Sequence, residues 1–130
     1  MKAIQNVIMF VPTMISYLVG GRMFHERDYE GAINKFEKCL NHPGFQNEIL
    51  FSFYGQALCA VGRMDEGHNY LIKACEAYEL GGWTFEREFD FKLAKNTLDA
   101  LKYVSELLNI ENSKEFLTKN IQLKRVNQIV

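Results

Sequence analysis

The chain has 130 residues, which is enough for one domain with a single continuous core. Hydrophobic residues make up 48% of it and charged residues 24%. These proportions are ordinary for a soluble globular protein and argue against a disordered chain or a multi-span membrane protein. The formal net charge of −1 gives no general electrostatic attraction to nucleic acid or anionic lipid.

The first segment, residues 1–21, has the sequence MKAIQNVIMFVPTMISYLVGG. Lys2 followed by an apolar run is typical of a secretory signal, but Gln5, Asn6 and Pro12 interrupt the run and no small-x-small cleavage site follows. The same interruptions disfavour a membrane-spanning helix of about 20 residues. We expect residues 1–12 to form an N-terminal arm or cap over the first helix pair, and the alternatives are that they fill the chain's own groove or make a homodimer contact.

Capping residues and apolar spacing predict helices up to residue 79. Thr13 and Asp28 are suitable N-cap residues for the first two helices. Gly62 ends the third helix, and the pair Gly81 and Gly82 ends the fourth. The four helices are predicted over about residues 13–23, 29–41, 47–61 and 65–79.

The remaining chain is predicted to form three further helices, over about residues 83–95, 97–108 and 114–126. Asn112 or Ser113 caps the last of them. In the sequence WTFEREFDFKL, aromatic residues fall on alternate positions, as in a strand. We predict a helix over this segment, since no other segment offers a partner strand, and a strand over residues 83–93 stays open as the alternative.

Two stretches of the chain match each other at a spacing of 35 residues. The matching pairs are Gly20 with Gly55, Met23 with Leu58, Ala32 with Gly67, Phe36 with Leu71 and Cys39 with Ala74. A period near 34, with small and large residues at these places, is typical of helical hairpins that stack because none can bury its apolar face alone. In these residues the chain resembles the tetratricopeptide repeat (TPR) family.

The resemblance implies an all-α fold. In it, residues 1–130 form a single domain, a right-handed superhelical array of antiparallel helical hairpins (an α-solenoid) with a C-terminal capping helix. The third repeat is degenerate, because Glu88 replaces the small glycine of its first helix. The implied parts are an arm or cap at 1–12, repeats at 13–46 and 48–80, a degenerate repeat at 81–110 and a capping helix at 112–127.

The resemblance also implies a function. Proteins of this family mostly bind a peptide or helix of another protein in a concave groove lined by the first helix of each hairpin. Tyr17 and Gly21 stand where repeats that grip chaperone tails have lysine and asparagine. We therefore expect an adaptor or chaperone whose aromatic groove binds an apolar or amphipathic segment. The implied groove residues are Tyr17, Gly21, Phe24, Ser52, Gln56, Cys59, Phe85, Phe89 and Lys92.

Other interpretations of the sequence stay open. Any of the groove aromatics is equally well explained as core, since large apolar residues at helical spacing are usually buried. A toxin-neutralising immunity protein, or another dedicated inhibitor, fits an array of this size. A nucleic-acid-associated protein would use the basic residues Lys119, Lys124 and Arg125.

No catalytic or metal site is predicted. Cys39 and His42 are three residues apart, but four convergent ligands cannot be named. The acidic residues Glu86, Glu88 and Asp90 are spaced by two and do not share a helix face. We expect no enzymatic activity, cofactor, small-molecule substrate or membrane binding. The three cysteines, Cys39, Cys59 and Cys75, have no C-x-x-C spacing, which favours the reducing cytoplasm.

Overall fold

The computed structural model describes residues 2–110, 114–119 and 121–126. Over these residues the chain is mostly helical, so the predicted all-α class is confirmed at that level. None of the helices in this part of the chain is both long and apolar enough to cross a membrane. The helices are α1 (Lys2–His25), α2 (Tyr29–Glu37), α3 (Glu48–Ala60), α4 (Met64–Leu80), α5 (Glu88–Leu108) and α6 (Lys114–Thr118). A 3₁₀ turn (Pro43–Phe45) and two short strands, β1 (Thr84–Phe85) and β2 (Lys124–Arg125), complete the described structure.

Helix α1 begins at Lys2 instead of Thr13, so the predicted helix start is wrong. Pro12 lies inside this helix. A proline removes one backbone hydrogen bond, and the turns on either side can continue when the helix is held by packing. Thr13 is buried, and its carbonyl accepts a hydrogen bond from the Cys39 thiol at 3.6 Å. Residues 2–12 are therefore part of the first helix and not a separate arm.

Helices α1 and α2 form an antiparallel hairpin, because Thr13 contacts Cys39 and Gly20 contacts Phe36. Asp28 caps α2 as predicted, and its Oδ1 accepts the Gly31 N–H at 3.0 Å. Helix α2 ends at Glu37, earlier than predicted. A turn at residues 38–41 follows, and His42 is extended because Pro43 disfavours a helical backbone in the residue before it.

Helices α3 and α4 form a second antiparallel hairpin close to the predicted boundaries. Asn47 caps α3 through its Oδ1, which accepts the Leu50 N–H at 2.9 Å. Between the helices, Gly62 has a φ of +90°, which favours glycine. Gly55 of α3 contacts Leu71 of α4, just as Gly20 contacts Phe36 in the first hairpin.

The prediction of two helices between residues 83 and 108 is wrong. A single helix, α5, covers Glu88–Leu108, since no glycine or proline interrupts the sequence and its buried residues Leu93, Thr97, Leu101 and Val104 continue along one side. Residues 84 and 85 form β1, so no third hairpin precedes residue 108 in the described chain. The strand pattern of this segment is confirmed at these two residues.

The partner of β1 comes from the C-terminal segment. Thr84 pairs with Lys124 and Phe85 with Arg125 in parallel orientation. The predicted capping helix is accordingly too long, because α6 ends at Thr118 and this pairing requires an extended backbone at residues 124–125. The predicted caps at residues 112 and 113 lie outside the described residues.

The core consists of two clusters of buried side chains. The first lies between α1, α2 and α3 and includes Phe36, Leu50 and Leu58. The second lies between α4, β1 and α5 and includes Leu71, Leu101 and Val104. Helix α3 contacts both α1 and α5.

Candidate functional site

An open groove lies where the C-terminal part of α1 meets α3 and α5. Its volume is about 270 Å³. We call it the α1–α3–α5 groove. Its lining residues are Phe24, His25, Phe53, Gln56, Phe89, Lys92, Leu93 and Asn96.

Three phenylalanine rings, one from each helix, form the apolar part of the groove. Phe24 and Phe53 meet edge to face with their ring centroids 4.8 Å apart, and the centroids of Phe53 and Phe89 are 6.1 Å apart. Phe53 is buried, whereas Phe89 is 44% exposed. Phe36 stacks behind Phe53 at an interplanar angle of 13° and holds that ring from the core side. The groove therefore combines a fixed aromatic floor with one solvent-facing aromatic wall.

The polar residues around the groove are neutral or basic. His25, Gln56, Lys92 and Asn96 line it, and none of the lining residues that the structure describes is acidic. The Arg87 guanidinium lies 5.9 Å from the Phe89 ring centroid, and Asp90 pairs with that guanidinium at 2.6 Å. The exposed Lys92 ammonium lies within 4 Å of no carboxylate of the described residues. The groove thus has a cation at its edge that is available to a ligand.

A chain of buried hydrogen bonds fixes α3 against α5 beside the groove. The Gln56 amide donates to Ser52 Oγ at 3.0 Å, and the hydroxyls of Ser52 and Thr97 share a hydrogen bond. The Thr97 hydroxyl donates in turn to the carbonyl of Leu93 at 2.6 Å. Because Gln56 and Leu93 both line the groove, this network sets the separation of two of its walls.

The structure brings four of the nine predicted site residues together in this groove: Phe24, Gln56, Phe89 and Lys92. Ser52 is fully buried beneath it and is connected to the groove through Gln56 and, by way of Thr97, through Leu93. Gly21 lies on α1 outside the groove lining, and the position where a Cβ atom would lie is open space.

The other three predicted residues lie elsewhere. Tyr17 packs on Phe45, with ring centroids 5.6 Å apart, and burial raises the pKa of its hydroxyl to about 12. Cys59 packs against Gly67 inside the second hairpin, and burial raises the pKa of its thiol to about 11. Phe85 is buried in the second core cluster against Tyr78.

Sequence reasoning missed four lining residues: His25, Phe53, Leu93 and Asn96. Leu93 and Asn96 follow Phe89 and Lys92 by four residues each, a helical spacing that would have identified them. For Asn96 the signal was hidden because a helix break was predicted at that residue. Phe53 follows the predicted Ser52 directly, and only the rotation of α3 decides which of the two faces the groove.

Two of the basic residues near the C-terminus form ion pairs with acidic residues of α4 and α5. Glu88 bonds Arg125 at 2.9 Å, and Lys119 bonds Glu79 at 2.8 Å. The Arg125 guanidinium also lies 4.3 Å from the Phe91 ring centroid. These contacts attach the C-terminal segment, residues 119 and 121–126, to α4 and α5. We call this segment the C-terminal strap.

The cysteines and histidines do not converge. Across the described residues, no group of three or more His, Cys, Asp or Glu side chains is placed to hold a metal ion. Burial raises the pKa of the Cys39 thiol to about 11 and that of Cys75 to about 12. Both thiols are therefore protonated at neutral pH, the form that is not nucleophilic.

No family model matches this chain, and neither a curated protein nor a solved structure is significantly similar to it.

Proposed function

We propose that this protein is a non-enzymatic protein-interaction module, an adaptor or chaperone, whose α1–α3–α5 groove binds an apolar or amphipathic segment of a partner protein. The supporting observation is the meeting of Phe24, Phe53 and Phe89 around an open cavity of about 270 Å³. Aromatic residues around a concave site are typical anchoring points for a partner side chain.

The volume of the groove indicates what it holds. A cavity of about 150 Å³ lined by apolar side chains accepts a benzene molecule. The groove therefore has room for one large apolar side chain, such as leucine or phenylalanine, together with part of a neighbouring residue. Desolvating such an anchor against the three rings contributes about 1–3 kcal/mol to binding.

The charges at the groove favour an acidic residue beside that anchor. Lys92 and His25 lie at the edge, and no described lining residue is acidic. A carboxylate of the partner next to its anchor would reach the Lys92 ammonium without meeting a like charge. The proposed ligand is therefore a segment with a leucine or aromatic anchor and an adjacent Asp or Glu.

The TPR resemblance enters this proposal through two hairpins. Gly20 against Phe36 and Gly55 against Leu71 are equivalent contacts, 35 residues apart, and they support the proposed repeat. Helix α5 forms the remaining side of the groove, and it does not belong to a hairpin like the first two. We propose an array of two repeats closed by α5, in place of three repeats and a capping helix.

Selection from a random peptide display library tests the groove. The purified chain should enrich peptides with a leucine or aromatic anchor, and Phe89→Ala should lose at least about 90% of the binding of those peptides. Tyr103→Ala is the matched control, because Tyr103 is an exposed aromatic on the same helix outside the groove. If Phe89→Ala is folded by circular dichroism and binds the enriched peptides unchanged, the groove is not the site.

A charge reversal tests the acidic neighbour separately. Selection with Lys92→Glu should replace Asp and Glu beside the anchor with Lys and Arg, whereas selection with Lys102→Glu, an exposed control on the same helix, should leave the preference unchanged. If the enriched peptides need Phe89 but show no charge preference, the groove is still the binding site and Lys92 has no role in selecting its ligand.

A further inference from the structure

The first turn of α5, residues 88–92, forms part of the α1–α3–α5 groove but has little support from the core. Phe89 and Lys92 of this turn line the groove. None of the five side chains is fully buried, and Leu93 is the first buried side chain of the helix. A helical turn that lacks core contacts opens more readily than the rest of its helix. Other contacts must therefore hold this turn in place.

The C-terminal strap contacts the same turn on a different side. The Arg125 guanidinium bonds Glu88 Oε1 at 2.9 Å and lies 4.3 Å from the Phe91 ring centroid. Glu88 and Phe91 are three residues apart and share one side of the helix. Phe89 and Lys92 have the same spacing but are one residue further along, a rotation of about 100°. The strap and the groove therefore use different sides of one turn.

The strap also fixes the segment that leads into α5. The backbone amides of Lys124 and Val126 donate to two carbonyls in and directly before β1, at 2.9 and 2.8 Å. Only residue 86 lies between β1 and Arg87, the N-cap residue of α5. The Arg87 guanidinium in turn lies 5.9 Å from the ring centroid of Phe89 in the groove. The position of the strap thus bears on the position of the groove wall.

The attachment of the strap is weak enough to open while the rest of the chain stays folded. Its two ion pairs, one to α4 and one to α5, are both exposed. Exposed ion pairs stabilise little, because water and salt screen them. The strand pairing is two residues long, and the apolar strap residues Ile121 and Leu123 are only partly buried. Segments with so few buried contacts open locally.

We propose that the C-terminal strap regulates the α1–α3–α5 groove, an inference that rests on the proposed binding of a partner segment there. The attached strap holds the first turn of α5 so that Phe89 and Lys92 are already in position for the ligand. When the strap detaches, this turn loses its contacts on one side, and the ligand must order it on binding, which lowers the affinity. Ligand binding and strap attachment therefore favour each other.

Amide hydrogen exchange without ligand tests whether the strap holds the turn. Arg125→Glu should speed exchange of the two strap amides that pair with β1, and it should speed exchange of the Phe91 and Lys92 amides at least about 5-fold. Lys124→Glu is the matched control, since it makes the same charge change on an exposed side chain without an ion pair among the described residues. Fast exchange in the strap with unchanged exchange in the turn would overturn the proposal.

A second variant covers the case in which one substitution does not detach the strap. Adding Lys119→Glu to Arg125→Glu also removes the ion pair with Glu79, so no described ion pair then holds the strap. Circular dichroism checks that each variant is folded. The comparison between strap amides and turn amides is then read in the same way.

Binding of a peptide selected on the groove tests the regulation. Arg125→Glu should raise the Kd of a peptide whose binding needs Phe89 at least about 5-fold relative to Lys124→Glu. In the unmodified chain, saturating peptide should slow exchange of the strap amides by the same factor, because the coupling is reciprocal. Equal affinities with a detached strap, or strap amides that do not respond to the peptide, would overturn the regulation and leave the groove as the binding site.

The two proposals fail in different ways. If the groove selects no peptide that needs Phe89, the proposed function fails and the regulation fails with it. The exchange measured without ligand then still reports separately whether the strap holds the first turn of α5.

Discussion

Gly20 of α1 lies against the ring of Phe36 in α2. A Cβ atom added to Gly20 would come within 2.7 Å of Cε1 and 2.9 Å of Cδ1 of that ring. Phe36 is fully buried, so its ring has no free space to move into. The missing side chain at residue 20 is therefore what allows the two helices to approach.

This contact predicts opposite effects for two adjacent glycines. Gly20→Ala should lower the free energy of unfolding by about 1–3 kcal/mol, because the added methyl overpacks the hairpin. Gly21→Ala should raise it by about 0.5–1 kcal/mol, since open space surrounds that position and alanine favours the helix. Urea unfolding at one protein concentration measures both. A Gly20→Ala variant as stable as Gly21→Ala would contradict the packing.

The hydrogen bond between Ser52 and Thr97 predicts a coupling between α3 and α5. Thr97→Val should lower the free energy of unfolding by about 1–3 kcal/mol, because it leaves the buried Ser52 hydroxyl without its acceptor. Adding Ser52→Ala should recover part of this loss, since both polar groups are then removed. A double-mutant cycle from denaturant unfolding gives the coupling, and strictly additive effects would show that the two hydroxyls act independently.

The buried thiols predict a loss of stability at alkaline pH. Burial raises the pKa of Cys39 from 9.0 to about 11 and that of Cys75 from 9.0 to about 12. The unfolded chain therefore loses these protons first, so their stabilising effect is complete below pH 9.0 and declines as the pH rises towards the folded pKa values. At about pH 10 each thiol should lower the free energy of unfolding by on the order of 1 kcal/mol relative to its value at neutral pH.

Unfolding in denaturant at a series of pH values measures this decline. Cys75→Ala is less stable at neutral pH because it leaves a cavity, but its stability should fall less steeply above pH 9.0. If the free energy of unfolding falls equally steeply above pH 9.0 for this variant and for the unmodified chain, Cys75 does not contribute to the decline.

We predict that the C-terminal strap detaches when the charge of Arg125 is reversed. Arg125→Glu breaks the ion pair with Glu88 and the contact with the Phe91 ring, and it places two carboxylates together. The amides of Lys124 and Val126, which donate to Trp83 and Phe85 carbonyls at 2.9 and 2.8 Å, should then exchange hydrogen at least about 10-fold faster.

A compensating change separates charge from backbone pairing. The double variant Arg125→Glu with Glu88→Arg should restore most of the protection of these two amides, because it recreates the ion pair with its polarity reversed. If protection stays low, the Phe91 contact or the strand pairing itself holds the strap, and the ion pair does not.

The first two hairpins could be predicted because their signals are local. The Asp28 side chain caps α2 by accepting a hydrogen bond from the backbone N–H three residues later, and the Asn47 side chain caps α3 in the same way. The apolar spacing of each helix also lies within a few turns of its own sequence. In contrast, Pro12 indicated a helix boundary where packing holds a continuous helix.

The C-terminal third could not be predicted in this way, because its structure depends on a distant segment. Thr84 and Phe85 form a strand only through pairing with residues 124 and 125. Helix α5 starts at Glu88, shortly after that strand. The position of this start determines which side chains of α5 face the groove. The register of the predicted hairpins assigned Phe24 and Gln56 to the groove, whose lining in the structure includes both, whereas it did not identify Leu93 and Asn96.

The attachment of the strap has a consequence for the order in which the protein folds. Contacts within each hairpin join residues close in sequence, whereas Lys119 reaches Glu79 across 40 residues. Local contacts form early because little chain entropy is lost in closing short loops, so we expect the hairpins to precede the strap on the folding pathway. The backbone carbonyls of Trp83 and Phe85, which pair with the strap, would then stay accessible to water, or to a chaperone, until the strap attaches. Substitutions in the strap should therefore speed unfolding and leave the folding rate nearly unchanged.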